Sequence, residues 1–362
     1  MVAGERVLDF APSDEVYHAP AALLGHPPLT RSTRMRALYA AAMFTLCTLL
    51  LPRAAGAQTV ELKLGHVGSP GSLFDLSATE FAKRVKEKTG GKVVIQVYGA
   101  SQLGDDTELL QKVKLGTVDF ALPSTVMSSV VPAFGLFEMP YLVKDREHMK
   151  RIDKEIVWPT LVPIAEKAGY RILATWENGF RQITNNQRPI KAPEDLKGIK
   201  LRVPKGKWRV KMFQSYGASP SAMGLSEVFV ALQTGVMDGE ENPLTQIYTS
   251  KFQEVQKYLS MTDHVYTPAY LVCSPRKFDA LPDAVRKQIQ QTAQETQPFV
   301  HETGAKLDDE LLGKLKQAGM QVNQADKQAF QKASKPVYDD FSTEVPNGKE
   351  MIEKAIGLGS GK

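Results

Sequence analysis

The chain has 362 residues, 43% of them hydrophobic and 23% charged, with 45 basic against 40 acidic side chains and a net charge of +5. That length predicts two domains at roughly 150 residues each, and the composition excludes a disordered polymer, a collagen and a polytopic membrane protein. The charges are interspersed and no basic block reaches five residues, so the cationic excess reads as a soluble surface and not as a nucleic-acid footprint.

The first distinctive segment, residues 37–51 (ALYAAAMFTLCTLLL), has no charge; Arg31, Arg34 and Arg36 precede it and Ala55-Gly56-Ala57 follows. Basic, apolar and small-x-small parts in that order predict an export signal cleaved after Ala57. The apolar run is too short for the ~20 residues that a bilayer span needs. Met35 stands immediately before Arg36, so residues 1–34 are expected to be an extension from a mis-assigned start. Cys47 lies inside the signal, which leaves Cys273 alone in the mature chain with no internal disulfide to make. Its flank Tyr270-Leu271-Val272 predicts a buried strand around an inert thiol.

Strand and helix then alternate. Residues 60–66 (VELKLGH) alternate apolar and polar side chains as a strand does. Residues 72–89 place Leu73, Leu76, Phe81 and Val85 at helical spacing, and Gly90-Gly91 ends that helix. Val93, Ile95 and Val97 predict a second strand closed by Gly99; Asp105 or Asp106 caps a helix carrying Leu109, Leu110 and Val113, with Gly116 as its left-handed stop. Residues 118–122 predict a third strand. This order predicts an α/β fold with mainly parallel sheets. Further on, residues 193–198 predict a single helical turn and residues 200–203 a short strand stopped by Pro204. Residues 282–315 predict one long helix, kinked at Pro298, able to brace two lobes. The tail, residues 357–362, is expected to be mobile. A short echo links the halves: Leu115-Gly116-Thr117-Val118-Asp119 and Thr234-Gly235-Val236-Met237-Asp238 each run from a helix through glycine to aspartate. The helix before the second copy is expected at residues 227–233, capped by Ser226.

The common catalytic signatures are missing. There is no G-x-S-x-G, H-E-x-x-H, C-x-x-C, Walker or G-x-G-x-x-G pattern. The histidines of the mature chain, His66, His148, His264 and His301, never stand three or four residues apart, so no helical metal pair exists. What remains is a carboxylate-binding arrangement. In Ile199-Lys200-Leu201-Arg202-Val203 the apolar side chains take one strand face and Lys200 and Arg202 the other. Arg202 stands at the carboxyl end of that strand, just beyond which open α/β sheets bind ligands. Arginine grips a carboxylate through two parallel hydrogen bonds. The competing reading is a solvated arginine on a sheet edge.

Six runs stand in order: Gly65-His66, Ser101-Gln102-Leu103-Gly104, Trp176-Glu177-Asn178-Gly179-Phe180-Arg181, residues 190–198 (IKAPEDLKG), Leu201-Arg202-Val203-Pro204 and Gly239-Glu240-Glu241-Asn242-Pro243. In these runs the chain resembles the DctP-type solute-binding proteins of tripartite ATP-independent periplasmic (TRAP) transporters, over roughly residues 60–315. The resemblance implies a two-lobed periplasmic-binding-protein fold of type II-like plan, with hinge strands and a long bridging helix. It implies lobe I at residues 58–178 plus 268–307 and lobe II at 179–267 plus 308–362. It also implies a periplasmic receptor, without catalysis or cofactor, that captures an organic acid between the lobes and hands it to two integral membrane subunits. A monomer is expected. Arg202 takes the place of the main carboxylate clamp, Arg181 that of a second cationic contact, and Asn242 that of an amide donor to the same carboxylate. Val67, Asp106, Ser124 and Leu225 fall on further pocket-lining positions.

Two departures bear on the ligand. Glu240 and Glu241 are adjacent acids where an uncharged residue often precedes the second; they would repel a dicarboxylate or assist a cation. Val67 and Leu225, with Phe180 and Trp176 near in sequence, point to one carboxylate on a moderately apolar or hydroxylated body. Two alternatives stay open: an exported α/β enzyme with Asp106, Glu241 or His66 as general base, or a partner that presents its ligand to a sensor kinase.

Overall fold

The computed structural model describes residues 59–360. The apolar segment 37–51, Met35, Cys47 and the cleavage point after Ala57 lie outside the described residues. Among the described residues no helix is long and apolar enough to cross a membrane.

Strand β1 (Val60–Gly65) turns Leu62 and Leu64 inward and pairs in parallel with β2 (Val93–Tyr98) and β3 (Phe120–Ala121). Helix α1 (Leu73–Lys88) connects β1 to β2 and buries Leu73, Phe74, Ser77, Ala78, Phe81 and Val85, one face at 3.6-residue spacing. It starts at Ser72, whose hydroxyl accepts from the Asp75 amide. Helix α2 (Asp106–Leu115) is capped by Asp105, which accepts from the Glu108 amide, and stops at left-handed Gly116. Phe81 meets Phe120 and Trp176 edge-on, which ties α1 to the sheet.

The sheet runs β2-β1-β3-β9-β4-β7-β5-β6, with β8 (Tyr258–Met261) also on β4 (Arg171–Asn185) and β10 (Gln321–Gln324) on β8. β4 organises it. Arg171 to Phe180 pair antiparallel with β9 (Tyr266–Cys273), and Arg181 to Asn185 pair antiparallel with β7 (Gly239–Pro243). The handover follows a bulge between Glu177 and Gly179, where Gly179 takes φ 119°, a conformation that side-chain-bearing residues avoid. Beyond it, β5 (Lys200–Val203) lies between β6 (Ser219–Ala222) and β7, parallel to both. The expectation of mainly parallel sheets therefore needs correction. The parallel pairs stay within each half, while the pairs through β4 and β9 that join the halves are antiparallel.

The remaining helices pack around this frame. α3 (Lys207–Ser215) follows β5, α4 (Leu225–Gln233) follows β6, and α5 (Leu244–Thr249) follows β7. α4 begins two residues earlier than expected and is capped by Gly224, not Ser226. The long helix α6 (Asp283–Gln317) continues through Pro298 as one element and packs on α1, β4 and α5, thus on both halves. Cys273 is buried on β9 and its thiol is pushed well up by burial. The tail differs from expectation: Gly357 and Leu358 belong to the helix Gly348–Leu358, and Lys144 and Arg151 donate to the Gly359 and Leu358 carbonyls.

The sequence echo is a real structural repeat. Asp119 Oδ2 accepts from the Lys63 amide on β1 at 2.8 Å, and Asp238 Oδ2 accepts from the Lys200 amide on β5 at 2.8 Å. The two aspartate amides return the bond to the Lys63 and Lys200 carbonyls. Each half thus docks the aspartate three residues past its glycine onto a strand in the same way.

Candidate functional site

The carboxyl ends of the parallel strands of both halves converge on one cavity. Val67 follows β1, Ser124 and Thr125 follow β3, Arg202 and Pro204 end β5, and Asn242 ends β7. Asp106 comes from the first turn of α2, Leu225 from α4, Gln246 from α5, Phe74 from α1, and Asn178 and Arg181 from β4. All seven residues singled out in the sequence line this one cavity.

Arg202 is 3% exposed on an interior strand, which excludes the edge-arginine reading. Its Nε and Nη2 donate to the Met223 carbonyl at 3.0 and 2.6 Å, its only hydrogen-bond partner among the described residues. No carboxylate among the described residues forms an ion pair with it, and burial lowers the guanidinium to about 10, so it stays charged at neutral pH. A buried cation without a counter-ion is costly, and the cavity face is where an anion would meet it.

Arg181, 2% exposed, is arranged differently. Its Nε donates to Glu241 Oε2 at 2.5 Å, and its Nη2 to Glu241 Oε1 at 3.1 Å, to Asn242 Oδ1 at 3.0 Å and to the Glu241 carbonyl. Glu241 Oε2 also accepts from Arg209 Nη1 at 2.7 Å and meets His264 Nε2 at 3.0 Å. Arg209 reaches Glu138 at 2.8 Å as well. Although burial opposes ionisation, the cations Arg181 and Arg209 hold Glu241 well below the usual carboxylate range. Burial lowers His264, with Glu241 opposing, and lifts Glu138 to about 7.

Asn242 donates its Nδ2 to Glu240 Oε2 at 2.5 Å, and Thr184 Oγ1 donates to Glu240 Oε1 at 2.9 Å. Burial lifts Glu240 to about 7, with Glu241 adding to the rise while Asn242 and Arg202 oppose it. Neither acid of the Glu240-Glu241 pair lines the cavity: Glu241 is taken up by Arg181 and Arg209, and Glu240 by Thr184 and Asn242. Ser124 donates to the Pro268 carbonyl at 2.6 Å and accepts from Asn178 Nδ2 at 3.4 Å. Asp106 is half-buried, yet its Oδ1 is fully shielded and unpartnered. Burial and neighbouring Asp105 lift it to about 7, with Arg202 and Lys205 opposing.

A small adjoining cavity shares Asp106, Arg202, Pro204 and Leu225. Lys205 and Asp105 form an ion pair across it at 2.5 Å.

Other expectations fall elsewhere. Trp176 is buried against α6, donating to the Ala293 carbonyl, and Phe180 packs on Tyr266; neither lines the cavity. His66 is fully buried, its ring nitrogens make no hydrogen bond among the described residues though Nε2 lies 3.9 Å from Asp75 Oδ1, burial lowers it to about 4 with Asp75 opposing, and it does not line the cavity. Sequence reasoning missed Phe74, Thr125, Asn178, Pro204 and Gln246 as lining, and the Arg209–Glu138–His264 support behind Arg181. Asn178 and Pro204 stood inside quoted runs and were legible from them; Arg209 and Glu138 carried no local signal.

The bacterial extracellular solute-binding protein family 7 model (DctP) matches residues 64–344. The sialic acid-binding periplasmic protein SiaP of Vibrio cholerae is 34% identical over 87% of this chain and 98% of its own. The C4-dicarboxylate-binding periplasmic protein DctP of Rhodobacter capsulatus is 30% identical over 85% and 93%. A TRAP periplasmic solute-binding protein from Polaromonas, solved with D-erythronate, superposes with a TM-score of 0.79 at 34% identity, covering 82% of this chain and 98% of that one. Another from Sulfurospirillum deleyianum, solved with succinate, gives 0.79 at 32% identity over 83% and 99%. With its mixed α/β sheet shared by two halves and a family match over most of its length, this chain belongs to the DctP family of bacterial extracellular solute-binding proteins.

Proposed function

We propose that this protein is a periplasmic receptor that captures an organic acid by its carboxylate and delivers it to the membrane subunits of a TRAP transporter. One observation carries the reading: Arg202 is buried, charged and without a carboxylate partner, and it lines the same cavity as Arg181. A carboxylate there completes the ion pair that the chain leaves unmade. The Nη1 atoms of both arginines make no hydrogen bond among the described residues, and Asn242 has a second Nδ2 hydrogen to donate. The relatives solved with erythronate and with succinate have a carboxylate ligand in common, which supports the same chemistry here.

In this reading the lobes are residues 58–178 plus 268–307 and 179–267 plus 308–362. They close on the acid about the bulge in β4, where the strand changes partners. The segment before Ala57 serves for export, the mature chain acts as a monomer, and no step of its work is catalytic. Calorimetry of residues 58–362 against a panel of organic acids tests it. Saturable binding by at least one carboxylate, abolished by Arg202→Lys, is the expected result. Unchanged affinity in Arg202→Lys overturns the clamp, and chemical alteration of the bound acid overturns the receptor.

A further inference from the structure

The polar atoms that the cavity leaves unpaired report on the ligand beyond its carboxylate. Among the lining residues, Asp106 Oδ1, Asn178 Oδ1, Gln246 Oε1 and Thr125 Oγ1 are shielded from solvent and have no hydrogen-bond partner. Three of the four are acceptors by chemistry. The Asn178 orientation is set by its neighbours: its Nδ2 points to the hydroxyls of Thr267 and Ser124, and these donate onward to the Gly179 and Pro268 carbonyls. Those hydroxyls therefore accept from Asn178, and its Oδ1 is the face left over. A ligand body that satisfies these atoms must donate hydrogen bonds, and must do so toward groups on α2, β4 and α5, three separate elements.

The charges narrow the choice. The cations lining the main cavity are Arg181 and Arg202. Lys205, in the adjoining cavity, is already engaged by Asp105. A second carboxylate, an acceptor only, would face Asp106 and the two amide oxygens, with no free cation among the described lining residues to offset it. A ligand ammonium would donate but would stand near Arg202, Arg181 and Lys205. A plain alkyl chain would leave every one of the four atoms unpaired. Hydroxyl groups meet all conditions, and their C–H backbone fits the apolar wall of Val67, Phe74, Pro204 and Leu225.

We infer that the cavity takes a polyhydroxylated monocarboxylate, an acid of the sugar-acid class, and that Asp106 is the residue that discriminates it from a dicarboxylate. The inference rests on the carboxylate-receptor reading above.

A matched series tests it. Calorimetry with residues 58–362 compares 2,3,4-trihydroxybutanoate, butanedioate, 4-aminobutanoate and butanoate, then gluconate, adipate, 6-aminohexanoate and hexanoate. The assay pH is 8.5, above the value near 7 to which burial lifts Asp106. The hydroxylated acid of at least one length is expected to bind ten-fold or more tighter than its three counterparts. Asp106→Asn, whose fold is checked by its melting curve, is expected to narrow the gap between hydroxylated acid and diacid at least ten-fold. A diacid, amino acid or alkanoate that binds as tightly as the hydroxylated acid overturns the inference while leaving the receptor reading intact. So does an Asp106→Asn variant with an unchanged ratio. Failure of every carboxylate to bind the wild type overturns both.

Discussion

Arg202 and Glu240 are register partners on the adjacent parallel strands β5 and β7, yet their charged groups do not pair. Arg202 turns to the Met223 carbonyl, and Glu240 is held by Thr184 and Asn242. Two strands away, Arg181 is saturated on one side by Glu241. One arginine is thus anchored by a counter-ion and the other is held by a neutral carbonyl, leaving its charge for a ligand.

That contrast predicts a trade between binding and stability at residue 202. Arg202→Ala is expected to weaken acid binding by about 3–5 kcal/mol, the loss of one partner of a buried charge pair. Arg202→Met, which replaces an unpaired buried cation with an apolar side chain of similar length, is expected to bind no acid yet melt at or above the wild-type temperature without ligand. Calorimetry and a melting curve on the same samples check both halves; a melting point well below wild type contradicts the second.

Glu241 is expected to behave in the opposite way. Glu241→Gln leaves Arg181, Arg209 and His264 around a neutral amide and should cost about 3–5 kcal/mol at neutral pH. Because Glu241 titrates below its unfolded value, its contribution is present above the unfolded pKa of about 4.3 and is lost as pH falls below it. Denaturant unfolding of wild type and variant should therefore converge toward acid pH. A difference that is constant from pH 7 to pH 3 refutes the assignment.

Glu240 carries the reverse sign. Its native value, raised to about 7, means that the folded chain holds a proton the unfolded chain has released between about 4.3 and 7. Stability from this group is full below the unfolded pKa and is lost as pH rises through 7. Glu240→Gln is expected to match wild type near pH 4.5 and to be the more stable of the two at pH 8. Paired melting curves across that window decide it, and a variant that is less stable at pH 8 is the contrary result.

The Lys205–Asp105 pair closes one side of the adjoining cavity but is partly exposed, Lys205 by 42%. Such pairs contribute at most about 1 kcal/mol. Lys205→Met should speed ligand release up to about five-fold and leave association nearly unchanged. Stopped-flow displacement measures it; a slowed association with unchanged release would mean that the lysine steers the ligand and does not latch it.

The repeated aspartates give a stability test independent of ligand. Asp119→Ala and Asp238→Ala each remove a charge-assisted bond to a strand amide, at about 1–2 kcal/mol apiece. They lie in different halves, so the double variant should lose the sum to within about 0.5 kcal/mol. Clear non-additivity in urea unfolding would mean that the halves do not dock their strands independently.

The alternation of apolar side chains in β1 and β2, the helical spacing in α1, a cap at Asp105 or Asp106 and the left-handed stop at Gly116 were all legible in the sequence. Each depends on residues within a few positions of one another. Of the cavity residues, Arg181, Arg202 and Asn242 stood inside the six ordered runs, whereas Phe74, Thr125 and Gln246 stood in none of them and were missed. What the chain order does not encode locally is partner choice across the fold. Arg202 looked like a possible edge residue, and only the placement of β6 and β7 on either side of β5 buried it. Glu240 and Glu241 looked like ligand-facing acids. The antiparallel pairing of β4 with β7 instead set Glu241 against Arg181, while Arg209 and Glu138 arrived from distant elements. Sequence alone determined the periodic elements and the chemistry available to them. Tertiary structure decided which charges neutralise each other and which one is left facing the cavity, because an ion pair depends on distance in space and not on separation along the chain.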